Sequence, residues 1–209
     1  MQGSDFEDLV NIFTKFPGIG PRQARRFVYF LLARDRIFRA DFLKSIEALN
    51  QKAKQCNRCH YFFVAHHKDN NLCRRCDNID LDHSTIMIVE KDMDVDNVIK
   101  TETYKGLFFI LGHLKTSKDS DKFTNYSRLS SLKKLLSTDG KNGTLKEIIL
   151  AFSASPDGDQ MTRLLKDELA PIAQDFKIKI SSLGRGFSTG TELEYSDAET
   201  IENALASRH

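Results

Sequence analysis

Apolar positions along the chain change their spacing part-way through. Toward the N-terminus Phe6, Leu9, Val10 and Phe13 recur at helical intervals, and so do Ala24, Phe27, Val28 and Leu31. The second set predicts an amphipathic helix from Pro21 to about Ala33 with proline in its first turn. Phe42, Leu43, Ile46 and Leu49 predict a third helix. After His83 the texture shifts to short β-rich runs separated by helical stretches: Thr85 to Val89, Val95 to Lys100 and Leu107 to Leu111. A later cycle gives a strand at Glu147 to Phe152, a helix at Gln160 to Gln174 and a strand at Ile178 to Leu183. Such alternation predicts an α/β fold with a mostly parallel sheet and flanking helices. Ser196 to His209 reads as a terminal helix that serves either packing or oligomerisation.

The joint between the first two helices is Phe16-Pro17-Gly18-Ile19-Gly20-Pro21, a helix-hairpin-helix signature. Gly18 and Gly20 permit tight backbone geometry and close approach, and Ile19 can plug the core of the helix pair. The freed amides at the start of the second helix then face outward. With the positive end of the helix dipole they form an anion site, and a DNA phosphate is the obvious anion when Arg22 and Arg26 stand nearby. The alternative is an ordinary helix-turn-helix corner with a solvated arginine face. Charge favours the first reading: Lys15 to Arg39 holds seven basic residues against one acid, Asp35, in a chain whose formal net charge is only +2.

The 209 residues, 40% hydrophobic and 29% charged, are ordinary for one or two small globular modules and exclude wholesale disorder. No apolar run approaches the roughly 18 to 20 residues of a membrane span, and Met1 to Asp8 lack a basic-then-apolar signal pattern, so a cytoplasmic protein with no membrane contact is expected. All four cysteines lie in one segment, as Cys56-Asn57-Arg58-Cys59 and Cys73-Arg74-Arg75-Cys76 separated by 13 residues. Two such knuckles let four thiolates converge on a structural Zn²⁺, closed to water and therefore suited to folding rather than catalysis. Lys54, Arg58, Arg74 and Arg75 are placed to offset the excess negative charge of that site. Two disulfides, or a redox-active CxxC, are the competing readings. His60, His66 and His67 in the intervening loop are expected to be solvated rather than ligands.

In parallel sheets functional groups collect at the carboxyl ends of strands. Glu90 directly follows Ile86-Met87-Ile88-Val89, and Asp157-Gly158-Asp159 follows the strand Ile148 to Phe152 by a few residues. Hard carboxylate oxygens clustered this way suit Mg²⁺. Three readings stay open for them: a Mg²⁺ site, a protein-docking surface, and strand-end acids beside a polar Asp-Gly turn.

These acids match the Toprim pattern. A helix-hairpin-helix, a four-cysteine site and a Toprim domain, in that order and over nearly the whole chain, resemble the bacterial RecR family. Leu183-Gly184-Arg185-Gly186-Phe187-Ser188-Thr189-Gly190, Glu192-Leu193-Glu194-Tyr195 and Asp197-Ala198-Glu199-Thr200 are similar to that family's C-terminal signature. So is Tyr104-Lys105-Gly106 ahead of Leu111-Gly112-His113-Leu114. The resemblance implies four regions: a helix-hairpin-helix region at 1–55, a zinc finger at 56–80, a Rossmann-like Toprim domain at 84–182 and a C-terminal segment at 183–209.

It further implies a non-enzymatic recombination mediator, a dimeric or tetrameric clamp that grips gapped or junction DNA without regard to sequence. Such a clamp acts with RecO, and in some settings RecF, to help load RecA. By the same carry-over Gly18, Gly20, Arg22 and Arg26 contact DNA, Cys56, Cys59, Cys73 and Cys76 hold zinc, and Glu90, Asp157 and Asp159 dock RecO or bind Mg²⁺. Two stretches depart from the family. Lys115 to Asn125 is rich in Lys, Ser and Asp where a Ser-Pro-containing, glycine-rich loop is usual, and it reads as flexible. Asp157 and Asp159 stand where many relatives have glutamates. That Asp-x-Asp form keeps open a Mg²⁺-dependent phosphodiester-cleaving enzyme with Glu90 as acid or base, although no tyrosine stands in a nucleophile context. A zinc-dependent scaffold that never touches DNA is the third reading, and it leaves the arginine-rich hairpin unexplained.

Overall fold

The computed structural model describes residues 4–65, 71–112, 116–117, 120–123, 126–184 and 198–206. The chain divides into two units, Met1–Ala53 and Lys54–His209.

In the first unit α1 (Ser4–Phe13) and α2 (Pro21–Ala33) form an antiparallel pair, and α3 (Arg36–Lys52) follows. Val10, Ala24 and Val28 are buried, with Phe6, Leu9, Phe13 and Ile19 packed around them. Both predicted stripes therefore face one another, and Ile19 fills the position expected of it. Asp35 caps α3 by accepting the Phe38 amide at 2.7 Å, which replaces one backbone bond that every helix N-terminus lacks. The stripe of α3 forms a helix as expected, yet no residue of α3 is buried. Leu43 is 67% exposed and Leu49 59%.

The second unit is built on a four-stranded sheet, β4 (Gly106–Ile110), β3 (Asp82–Val89), β7 (Glu147–Ala151) and β8 (Lys179–Ser182), in that spatial order. Every pairing is parallel, with Ile86 beside Leu107 and Ile148, and Val89 beside Ile110 and Ala151. The fold class is thus the expected α/β one. One face packs Ile86, Ile88, Leu107, Phe109, Ile148 and Leu150 against α5 (Tyr126–Lys141) and α6 (Pro156–Phe176), through Leu132, Leu136, Leu165 and Leu169. The other packs Met87, Val89, Phe108 and Ile110 against Val95 of α4 (Asp92–Lys100). Coverage of both faces is why β3 and β4 read as continuous apolar runs instead of alternating ones.

Val95 to Lys100, expected to be β-rich, belongs to α4. Its β-branched valines and isoleucine favoured a strand by propensity, whereas Val95, Val98 and Ile99 sit at i, i+3 and i+4 and pack together on the sheet. The tertiary contact decides the matter over local preference. Asp157-Gly158-Asp159 is no turn either, because α6 begins four residues earlier than expected. Ser155 caps it by accepting the Gly158 amide at 3.2 Å, and acids in a first turn complement the helix dipole.

Small two-stranded ribbons, β1 (Ala53–Gln55) with β2 (Phe62–Val64) and β5 (Thr116–Ser117) with β6 (Ser120–Phe123), were not foreshadowed by the apolar pattern. Within Lys115 to Asn125 only the β5 and β6 residues are described, and the remainder lies outside the described residues. So do His66, His67 and residues 185–197 of the C-terminal signature. The terminal helix is α7 (Ala198–Ala206). No helix among the described residues is long and apolar enough to cross a membrane.

A β-carbon added at Gly158 would lie 2.0 Å from the Ser153 carbonyl oxygen, so the start of α6 can approach the end of β7 only with glycine there. Gly158→Ala is expected to lower unfolding stability by about 1–3 kcal/mol through overpacking. Urea titration checks this, and an unchanged midpoint would show that the Ser153 turn yields freely.

Candidate metal centre and nucleic-acid interface

The hairpin between α1 and α2 is set by Gly18, whose φ of +75° is the left-handed conformation that residues with a β-carbon avoid. The Ile19 amide then closes on the Phe16 carbonyl at 3.1 Å. Gly20 is extended, with φ −85° and ψ 170°, and serves as the α2 N-cap with no side chain to satisfy the first turn. Arg22 and Arg26, one turn apart, are both exposed, with Arg26 hydrogen-bonded only locally, to Gln23 Oε1 at 3.3 Å. Arg25 differs: its guanidinium pairs with Glu7 of α1 at 3.0 Å, tying the two helices together. The structure thus divides the arginines of α2 into one engaged within the fold and two turned to solvent beside an uncapped helix start. Arg34 stacks on Phe30 with its guanidinium carbon 4.3 Å from the ring centroid, a cation–π contact the sequence did not indicate.

Cys56, Cys59, Cys73 and Cys76 converge, with all four sulfurs within 4.8 Å of one another. The Cys59 and Cys73 sulfurs are 3.6 Å apart. That is far beyond a disulfide bond of about 2.05 Å and close to the roughly 3.8 Å edge of a tetrahedron with metal–sulfur bonds of about 2.3 Å. The Cys73 amide donates to Cys56 Sγ at 3.3 Å, a contact that favours thiolate at that sulfur. The shared sulfur contacts pull the thiols apart in acidity. Cys56 is lowered by hydrogen bonds from Cys59, Cys73 and Cys76, and Cys59 and Cys76 are raised, chiefly by their contact with Cys56. Four such sulfurs ionise together only around a cation, so the donor set fits a metal ion held by thiolates.

His60 is not part of the set. In a left-handed conformation, φ 62°, it turns its ring edge-on to Phe109, 5.1 Å between centroids. Burial first, and Arg128 second, keep its pKa below the ordinary value. Arg58 and Arg75, expected to offset thiolate charge, engage other groups: Arg58 bonds Asp139 at 2.6 Å and Arg75 the Gly106 carbonyl at 2.8 Å. Neither Asp139 nor the Tyr61 contact with Asp96, at 2.6 Å, was marked by any local signal in the sequence.

Glu90 is half-buried just beyond β3, and Asp157 and Asp159 stand in the first turn of α6 just beyond β7. Because β3 and β7 are parallel neighbours with Val89 beside Ala151, all three acids lie at the same end of the sheet. The cysteines are the one group of three or more potential ligand side chains that converges among the described residues. The acids do not form a second.

A glycine hairpin between two helices, a four-cysteine centre and a parallel sheet with acids at its carboxyl end define a modular nucleic-acid-associated protein of the Toprim class. Comparison with known proteins matches two of these three parts to family models. Residues 84–183 match the Toprim domain and residues 6–49 the RecR helix-hairpin-helix. The chain is 34% identical to the recombination protein RecR of Phytoplasma mali over 97% of its own length and 93% of that protein. It is 32% identical to that of Phocaeicola vulgatus, over 97% and 92%, and 30% identical to that of Staphylococcus aureus, over 96% and 94%. The chain belongs to the RecR family of recombination proteins.

Thiol titration checks the metal centre. All four cysteines of the natural protein are expected to be shielded from a thiol reagent until a chelator is added, and then to react together. Fewer than four shielded thiols would contradict a closed four-thiolate site.

Proposed function

We propose that this chain is a non-catalytic, DNA-binding subunit of recombinational repair. It is a clamp-like homo-oligomer, dimeric or tetrameric, that grips gapped or junction DNA in the cytoplasm and works with RecO, and in some settings RecF, in loading RecA. Family membership supports the process. The observation that carries the DNA reading is the hairpin, where Gly18 and Gly20 lead into a start of α2 that has no side-chain cap and where Arg22 and Arg26 are exposed. Backbone amides and arginines of this kind bind phosphate without reading bases. The uncovered apolar stripe of α3 supports association of subunits, since isolated chains seldom leave such a stripe in water.

Zn²⁺ is the metal best suited to four cysteine sulfurs at these distances, and its role is structural. Glu90, Asp157 and Asp159 form an acidic strand-end surface for the basic face of RecO. Mg²⁺ at these same acids, detected as DNA cleavage dependent on Asp157, would instead favour an enzyme.

Binding to gapped DNA should weaken steeply with salt and vary little with sequence. Replacing Arg22 and Arg26 together by Ala should reduce affinity and flatten the log–log salt slope by about 2, one for each phosphate no longer neutralised. An affinity and slope equal to those of the natural protein would remove the hairpin from the interface.

A further inference from the structure

Strand β4 ends the sheet on one side, and two of its outward-facing backbone groups meet the cysteine module instead of another strand. The Ile110 amide donates to the Cys59 carbonyl at 2.9 Å. Two residues apart along a strand the backbone faces the same edge, and at Gly106 the carbonyl accepts from Arg75 Nη2 at 2.8 Å. The Arg75 guanidinium carbon also lies 5.1 Å from the Phe108 ring centroid. Each knuckle thus holds one end of the same strand: Cys59 closes the first, and the residue preceding Cys76 fixes the second.

The module reaches round both faces of the sheet from that edge. Toward α4, the Tyr61 hydroxyl donates to Asp96 at 2.6 Å and the Phe62 amide to Asp92 at 2.9 Å. Toward α5, Arg58 pairs with Asp139, whose side chain is only 10% exposed. Asp139 is the one buried charged residue among the described residues. A buried carboxylate deprived of its cation is strongly unfavourable, so the position of Arg58 matters to α5, and Arg58 lies between two metal ligands.

We propose that the four-cysteine module is a metal-dependent clasp on the open edge of the Toprim sheet, with Arg58 as the positioning residue that links metal occupancy to α5 through Asp139. This rests on the metal reading above. The metal fixes the backbone of the first knuckle and with it both the Cys59 carbonyl and Arg58. Linkage is reciprocal: interactions strengthened by metal binding must in turn strengthen metal binding by the same factor. A residue remote in sequence from the cysteines therefore controls how tightly the metal is held.

The test measures zinc transfer from the purified natural protein to a chromogenic chelator, alongside hydrogen exchange of the Gly106–Ile110 amides. Asp139→Asn is expected to weaken zinc affinity by about tenfold, read as faster transfer to the chelator, and chelation of the natural protein to raise exchange at Ile110. Leu165→Val, a core change in α6, serves as the stability control and should leave zinc release unchanged. If Asp139→Asn fails to fold, Arg58→Met combined with Asp139→Leu removes both charges without orphaning either, and the same acceleration is expected. Natural protein carrying no zinc would overturn the metal reading and the clasp together. Zinc bound but released equally fast from the natural protein and the Asp139 variants, or accelerated as much by Leu165→Val, would overturn the clasp alone.

Discussion

A parallel sheet buried on both faces must still dispose of the backbone groups along its edge strands, and at β4 this requirement organises the second unit. All five residues of β4 are buried, so an unpaired amide or carbonyl there would cost about as much as a missing hydrogen bond. The cysteine module supplies two of the partners, the Cys59 carbonyl for the Ile110 amide and the Arg75 guanidinium for the Gly106 carbonyl, and Arg128 supplies another at the Ile110 carbonyl. A module with a core made chiefly of cysteines, Tyr61, Phe63 and Leu72 has little apolar area with which to hold its own shape. A cation held by the four sulfurs would offset that deficit, as in other small metal-stabilised modules. Metal site and sheet edge are in this sense one structural problem with one solution.

The first unit meets a different constraint. Its core consists of three small buried residues with larger side chains around them, so the geometry of the helix pair depends on the turn between them. Gly18 makes the turn, Ile19 anchors it, and the Glu7–Arg25 pair fixes the register of the two helices. That pair is more than a third exposed on each side and contributes at most about 1 kcal/mol. Its larger consequence is selective, because it withdraws Arg25 and leaves Arg22 and Arg26 turned outward. In the second unit, Asp157 and Asp159 are held in place by the Ser155 cap and by the close approach that Gly158 allows.

Much of this was legible in the sequence because the signals were local. Helical stripes in α1, α2 and α3, the Pro-Gly-Ile-Gly-Pro joint, the paired CxxC knuckles and the strands β3, β4, β7 and β8 each announce themselves within a few residues. Legibility failed where packing decides. Val95 to Lys100 carries strand-forming residues yet is helical because three of them share a face on the sheet. The helix α5 buries Leu129, Leu132 and Leu136, a pattern easily overlooked among the serines and lysines around it. The Arg58–Asp139 and Tyr61–Asp96 contacts join residues 81 and 35 positions apart, and no spacing rule reaches that far. The sequence also marked the stripe of α3 correctly without indicating that one chain alone leaves it uncovered.

Backbone amide NMR during titration with gapped duplex DNA tests most directly whether the α1–α2 hairpin is the surface that meets DNA. Shifts concentrated at the Ile19 to Arg26 amides, arising in the fast-exchange steps at lowest DNA concentration, are the predicted result. Shifts confined to the Toprim sheet or the cysteine module, with the hairpin amides unmoved, would contradict it.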